Sequence, residues 1–169
     1  YDELTEAVEN YKDKFESVTV AEPLLGEVGA DATVVNEDKA KVAEDITAEA
    51  VKDAGYDLKE LVNEDIINNK EKYNIEVIDK NIDFRRVRNL DVYLKNNSIS
   101  LTKDLSQIEE WQGGDIIVFK DHIGIISDKR NKKGIPFLIH HANPIQVNYE
   151  EDVLELYGQD YIIGHYRIS

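Results

Sequence analysis

The sequence predicts an α+β domain in which N-terminal helices pack on an antiparallel β-sheet. Residues 2–17 and 36–54 carry apolar side chains at three- and four-residue spacing with charged residues between them, which is typical of amphipathic helices. Short runs rich in Ile, Val and Phe follow in the second half of the chain, and Gly, Asn or Asp residues bound them. Such runs predict buried strands. Helices followed by strands are the order expected of an α+β fold.

The composition suits one domain with a real core. The chain has 169 residues, 41% of them hydrophobic. We divide it into residues 1–35, a helix and an irregular connection, and residues 36–169, the core. A net charge of −15 argues against a nucleic-acid partner, which needs clustered Lys and Arg. No run approaches the ~20 apolar residues of a membrane span, so we predict no span in this chain.

Cap and turn residues mark the ends of the predicted helices. Asn36 is a predicted N-cap for the helix over 36–54, and Gly55 is its predicted left-handed end. Asp57 can cap a third helix, with a polar loop over 73–83 after it. The remaining predictions are a helix that continues through 90–94 and ends near Asn96-Asn97, an extended piece over 99–101, one helical turn over 105–111, a strand over 135–141, a short helix over 150–157 and a final strand over 161–168.

The stretch 113–128 is the most informative in the chain. Two apolar runs of strand length follow Gly113-Gly114-Asp115, and only Lys120 and Asp121 separate them, which predicts a tight β-hairpin. His122 opens the second strand, beside Gly124, which lets another backbone approach. A titratable ring at a strand end is a candidate general base. The simpler interpretation is a partly exposed histidine at a turn.

The other histidines suggest no metal site. No His-x-x-x-His helix pattern occurs, and the adjacent His140 and His141 are poor joint ligands on a strand because neighbouring side chains face opposite sides. We therefore predict neither a metal nor another cofactor. For His165 we favour a structural hydrogen bond.

Six separated stretches, taken together, carry a resemblance to a known family. They are residues 54–58, 61–65, 81–90, 114–128, 139–141 and 164–167. They resemble a bacterial family known only as a domain of unknown function and related to the NlpC-type and CHAP-type papain-like cysteine peptidases. The resemblance covers roughly three-quarters of the chain, from about residue 38 onward. It implies a papain-like fold and an extracytoplasmic location.

The resemblance also implies an activity and the residues that carry it. Family members of this type would cleave amide bonds in peptidoglycan stem peptides or related small peptides through a thioester. The pattern Val-Ala-Glu-Asp-Ile over 42–46 is similar to the family's Val-Cys-Thr-Asp-Val, which puts Ala43 at the nucleophile position. Glu44 departs from the small hydroxyl residue expected. His122 would be the base and His140 its orienting partner, with His141 as the alternative partner.

The chain has no cysteine, so we expect it to be inactive as written. It also has no methionine, which would fit a redesigned sequence. An introduced substitution, a redesigned sequence or a natural pseudoenzyme would each explain Ala43, and we favour an engineered origin.

The rival function is a non-catalytic module that binds cell-wall peptides, with the cluster Arg85, Arg86 and Arg88 holding a ligand carboxylate; a redesigned scaffold with no natural function is a third option. The cluster can equally be an internal ion-pair network. The candidate substrate-binding residues are Asp45, Arg85, Arg86, Asp121 and His141.

Overall fold

The computed structural model describes residue 48, residues 50–142 and residues 146–168. Several predictions fall outside the described residues: the helix over 2–17, the division at residue 35, and the candidate site residues Ala43 and Asp45. The end of the segment predicted as the second helix is helical through Asp53. Gly55 follows it with φ +96°, so the predicted left-handed end is confirmed.

Local signals place the main helices. Asp57 caps the first helix, α1, by accepting a hydrogen bond from the backbone N–H of Glu60 at 3.3 Å, as predicted. The helix predicted through 90–94 begins earlier, because the backbone N–H groups of Asn89 and Leu90 both donate to the carbonyl of Arg86. No helix of the described residues is long and apolar enough to cross a membrane. The helices are α1 Leu58–Asn68, α2 Val87–Asn97 and α3 Leu154–Tyr157, with 3₁₀ turns at Lys70–Lys72, Asp83–Arg85, Ile108–Glu110 and Gln159–Tyr161.

The described strands form one six-stranded sheet in which every pair is antiparallel, so the predicted α+β class is confirmed. The predicted tight hairpin is also confirmed, since the backbone N–H of Phe119 donates to the carbonyl of His122 across a two-residue turn. The strands are β1 Ile99–Ser100, β2 Ile116–Phe119, β3 Ile123–Arg130, β4 Pro136–His140, β5 Glu150–Glu151 and β6 Ile162–Arg167, in the order β1-β6-β2-β3-β4-β5.

The predicted helix over 150–157 is wrong in its first half. Glu150 and Glu151 pair with Ile139 and Leu138 of β4, and only the last turn of the segment, α3, is helical. The exposed edge of β4 offers backbone hydrogen bonds that an isolated turn of helix cannot match.

Alternating side chains cover both faces of the sheet. On one face, here called the helix-covered face, Ile116, Val118 and Ile125 pack with buried side chains of α1 and α2. On the opposite face, Ile117 and Phe119 pack with a second cluster that includes Trp111, Ile126, Leu138, Leu154 and Ile162. Because neighbouring strand residues point to opposite faces, the continuous apolar run of β2 contributes to both clusters.

Gly124 allows β3 and β4 to lie close together at the start of the hairpin's second strand. A β-carbon at this position would lie 3.0 Å from the carbonyl oxygen of Ile139 and 2.8 Å from a methyl carbon of Leu138. We expect Gly124→Ala to lower the free energy of unfolding by about 1–2 kcal/mol, because the backbone contact cannot be relieved by a side-chain rotation. Urea denaturation checks this, and an unchanged midpoint would contradict the contact.

Candidate functional site

His122 lies at the end of the β2–β3 hairpin and is held by its sequence neighbour. Its Nδ1 is 2.8 Å from Oδ1 of Asp121. Burial acts to raise the pKa of Asp121, but hydrogen bonds from Tyr161 and His122 outweigh it, and the net direction is downward. The carboxylate is therefore an acceptor, so Nδ1 carries the proton and Nε2 carries the lone pair.

Aromatic rings surround the His122 ring on the side of the sheet opposite the helix-covered face. The ring stacks on Phe119 at a centroid distance of 4.4 Å, with Tyr157 at 5.3 Å and Tyr161 at 6.3 Å. Burial lowers the pKa of His122, and the hydrogen bond to Asp121 only partly opposes this. In the part of the chain that the structure describes, the buried Nε2 has no hydrogen-bond partner. The ring is thus neutral at pH 7, and its Nε2 is unprotonated.

His140 is the second imidazole of the site, and its ring centroid is 5.4 Å from that of His122. Its Nε2 donates to Oε2 of Glu151 at 3.0 Å, and Gln146 donates to the same oxygen at 3.1 Å. Burial, followed by the neighbouring His122 and His141, lowers the pKa of His140 to about 3. This imidazole also stays neutral, and its buried Nδ1 has no hydrogen-bond partner among the described residues.

His140 and His141 are neighbours in sequence, but their rings lie in different surroundings. His140 pairs with Gly124 in the β3–β4 register and faces the His122 ring, whereas the ring of His141 stacks on Tyr149 at 5.4 Å. Burial lowers the pKa of His141. Of the two candidates for an orienting partner, only His140 is thus placed beside His122.

The hydrogen bond that orients His122 is accepted by Asp121, which the sequence analysis counted among the substrate-binding candidates. The signal was present in the sequence as a carboxylate next to the histidine, in a two-residue turn. Tyr161 was missed: its ring centroid lies 6.3 Å from that of His122, and burial, followed by the neighbouring Asp121, raises the pKa of Tyr161 to about 12. Its ring reaches the site only through the fold, so no local sequence signal marks it.

Arg85 and Arg86 lie elsewhere, at the junction of a 3₁₀ turn and α2. Arg86 Nη1 is 3.9 Å from Oδ1 of the buried Asp83, which agrees with the ion-pair interpretation of the cluster. The guanidinium of Arg85 lies 5.2 Å from the ring centroid of Phe84, a member of the helix-covered cluster. The described structure therefore does not place these arginines on the face that carries His122.

His165 has the structural role predicted for it. Its Nδ1 bonds to the carbonyl of Thr102, and its Nε2 lies 3.1 Å from Oδ2 of the fully buried Asp115. Arg167 donates to both oxygens of Asp115 at 2.7 and 2.8 Å. The ring of Trp111 covers His165 at a centroid distance of 4.2 Å. This cluster holds the start of β2 against β6, and the indole ring of Trp111 packs over it.

Within residues 48, 50–142 and 146–168, no group of three or more His, Cys, Asp or Glu side chains is arranged to hold a metal ion. The chemistry that this part of the site supports is proton transfer by a buried imidazole with a fixed tautomer.

Comparisons with known proteins give a family but no activity. Residues 32–168 match the family described as "Domain of unknown function (DUF1287)". The chain is 31% identical over 135 residues to "Uncharacterized protein YijF" of Escherichia coli (strain K12), which covers 75% of this chain and 63% of that relative. No solved structure matches. Neither finding connects the chain to NlpC-type or CHAP-type peptidases. The family match covers most of the chain, which therefore belongs to the DUF1287 family.

Proposed function

We propose that this chain is the scaffold of a cysteine amidase that acts on peptidoglycan stem peptides, and that Ala43 makes it inactive. The observation that carries the proposal is the Asp121–His122 pair, in which a carboxylate fixes the imidazole tautomer and leaves a buried, unprotonated Nε2. This is the base-and-orienter half of a nucleophilic triad. The resemblance supplies the nucleophile position and the papain-like fold. A peptidoglycan substrate would place the protein in the cell envelope.

The proposed reaction needs a thiol at position 43. His122 Nε2 accepts the thiol proton, the thiolate attacks the peptide carbonyl, and the imidazolium returns the proton to the leaving amine. Water then hydrolyses the thioester, with the same imidazole as the base. The low pKa of His122 in the absence of a thiol is compatible with this step, since a neighbouring thiolate adds the negative charge that favours the imidazolium.

The geometry sets a condition on the proposal. Ala50 and Val51 pack in the helix-covered cluster, whereas His122 faces the other side of the sheet at its hairpin end. The proposal therefore requires the chain to bring residue 43 past the hairpin end of the sheet, within hydrogen-bond reach of His122 Nε2.

The test restores the thiol. We expect Ala43→Cys to react with iodoacetamide with an apparent thiol pKa at least about one unit below the free value of about 8.5. The reason is the charge pairing with the His122 imidazolium. The same variant should cleave purified stem peptides, and mass spectrometry of the products detects the cleavage.

Two controls separate activation from accessibility. Ser100→Cys places a thiol on an exposed edge strand and should titrate near the free value. Adding His122→Gln to Ala43→Cys should return the thiol pKa toward that of the Ser100 variant while circular dichroism stays unchanged. A thiol at position 43 that titrates like the one at position 100, with no cleavage, would refute the proposal.

A further inference from the structure

His165 lies within β6 with both of its ring nitrogens against hydrogen-bond acceptors. Nδ1 contacts the main-chain carbonyl of Thr102, and Nε2 is 3.1 Å from Oδ2 of Asp115. The histidine is only 1% exposed, so bulk solvent takes no part in either contact. A carbonyl oxygen can only accept a hydrogen bond, and Nδ1 therefore carries a proton. Whether Nε2 also carries one depends on whether Asp115 has a proton to donate.

The hydrogen bonds around Asp115 show that it is a carboxylate. Arg167 donates to both of its oxygens, at 2.7 and 2.8 Å, and the backbone N–H of Gln112 donates to Oδ2 at 2.8 Å. A carboxylate that accepts from a guanidinium and a backbone N–H is stabilised in its ionised form. Burial acts to raise the pKa of Asp115, but the hydrogen bonds from His165 and Arg167 outweigh it. Asp115 is thus an acceptor, and Nε2 of His165 must be the donor.

We propose that His165 is a buried imidazolium that acts as a pH-sensitive latch on the connection between β1 and β2. Thr102 lies at the start of this connection and Asp115 at its end, so the two N–H groups of one ring hold both ends against β6. A neutral imidazole has a single N–H group and could hold only one of them. Its other nitrogen would direct a lone pair at an acceptor, which is repulsive. The latch therefore weakens when the pH rises and the ring loses a proton.

The surroundings of the ring also favour its charged form. Trp111, from the same connection, covers His165 at a centroid distance of 4.2 Å, and the face of an indole attracts a cation. Asp115 is the charged group in contact with the ring, and it too attracts the imidazolium. Arg167 opposes the charge, but it does so from the far side of the Asp115 carboxylate. The latch thus combines one ion pair, one carbonyl contact and one aromatic contact.

Nitrogen NMR of the parent chain tests the protonation state directly. At pH 7 both ring nitrogens of His165 should carry a proton. His140 provides the internal comparison, because burial and its neighbouring imidazoles lower its pKa to about 3 and it should show a single protonated nitrogen. A single protonated nitrogen on His165 at pH 7 would overturn the proposal.

Urea denaturation at pH 7, 8 and 9 measures the latch. The unfolded chain releases the proton of a histidine above about pH 6.5, whereas the folded chain keeps the one on His165. This residue should therefore raise the unfolding equilibrium constant by up to about tenfold per pH unit, and His165→Gln should remove that dependence.

His141→Gln is the matched control. It also replaces a buried imidazole, but burial lowers the pKa of His141, so that ring is neutral in both the folded and the unfolded chain over this range. The control should keep the pH dependence of the parent. Parallel curves for the parent and the His165 variant would overturn the latch, as would an equal loss of pH dependence in the two variants. If His165→Gln does not fold, the NMR result on the parent decides.

Discussion

Asp115→Ala is expected to lower the free energy of unfolding by about 3–5 kcal/mol. The carboxylate is fully buried and accepts hydrogen bonds from His165, from Arg167 and from the backbone of Gln112. Removing it leaves these donors without their acceptor in the interior, which costs far more than the loss of an exposed ion pair. Burial acts to raise the pKa of Asp115, but these hydrogen bonds outweigh it, so the group is ionised and its loss removes a charge.

Urea denaturation at pH 7 measures the effect, with Asp160→Ala as the control. Asp160 is exposed, so its replacement should change the free energy of unfolding by no more than about 0.5 kcal/mol. A loss below about 1 kcal/mol for Asp115→Ala would mean that the cluster does not hold β2 against β6.

Lowering the pH from 7 to 5 is expected to destabilise the protein by about 2 kcal/mol through His140 alone. Burial and two neighbouring imidazoles lower its pKa from 6.5 to about 3, even though Glu151 lies 3.0 Å away. Between these two pKa values the unfolded chain binds a proton that the folded chain does not. Stability is therefore complete above pH 6.5 and falls as the pH decreases toward 3. Burial also lowers the pKa of His122 and His141, which adds to the loss.

His140→Gln tests this assignment. The variant cannot titrate at this position, so its unfolding free energy should fall less steeply from pH 7 to pH 5, by about 2 kcal/mol over the interval. Denaturant titrations at several pH values, all above the range in which carboxylates protonate, provide the curves. Parallel curves for the variant and the parent would contradict the low pKa of His140.

The parts of the fold that were predicted are those with local causes. Asp57 caps α1 and Gly55 ends the preceding helix because each acts on backbone groups within four residues of itself. The hairpin could be predicted because its turn has only two residues. The β5 strand was mispredicted because a distant part of the chain decides it: Glu150 and Glu151 pair with β4.

The residues of the candidate site likewise divide into those that a local sequence signal marks and those that only the fold brings together. His122 and its carboxylate neighbour are visible in the sequence, whereas Tyr161 lies in the 3₁₀ turn before β6 and reaches them only through the fold. Asp115 and Arg167 are likewise distant in sequence, and the β2–β6 register, with Ile116 opposite Tyr166, brings them together. A sequence pattern gives no information about the distance between residues that are far apart along the chain. The meeting of residue 43 with His122 stays a prediction for the same reason.

Among the described strands, the two outermost, β1 and β5, have only two residues each. A strand from another molecule that docked there would find very few unpaired backbone groups. Short edge strands of this kind discourage edge-to-edge pairing of copies. The apolar strands in the middle of the sheet are thereby shielded from self-association at high protein concentration.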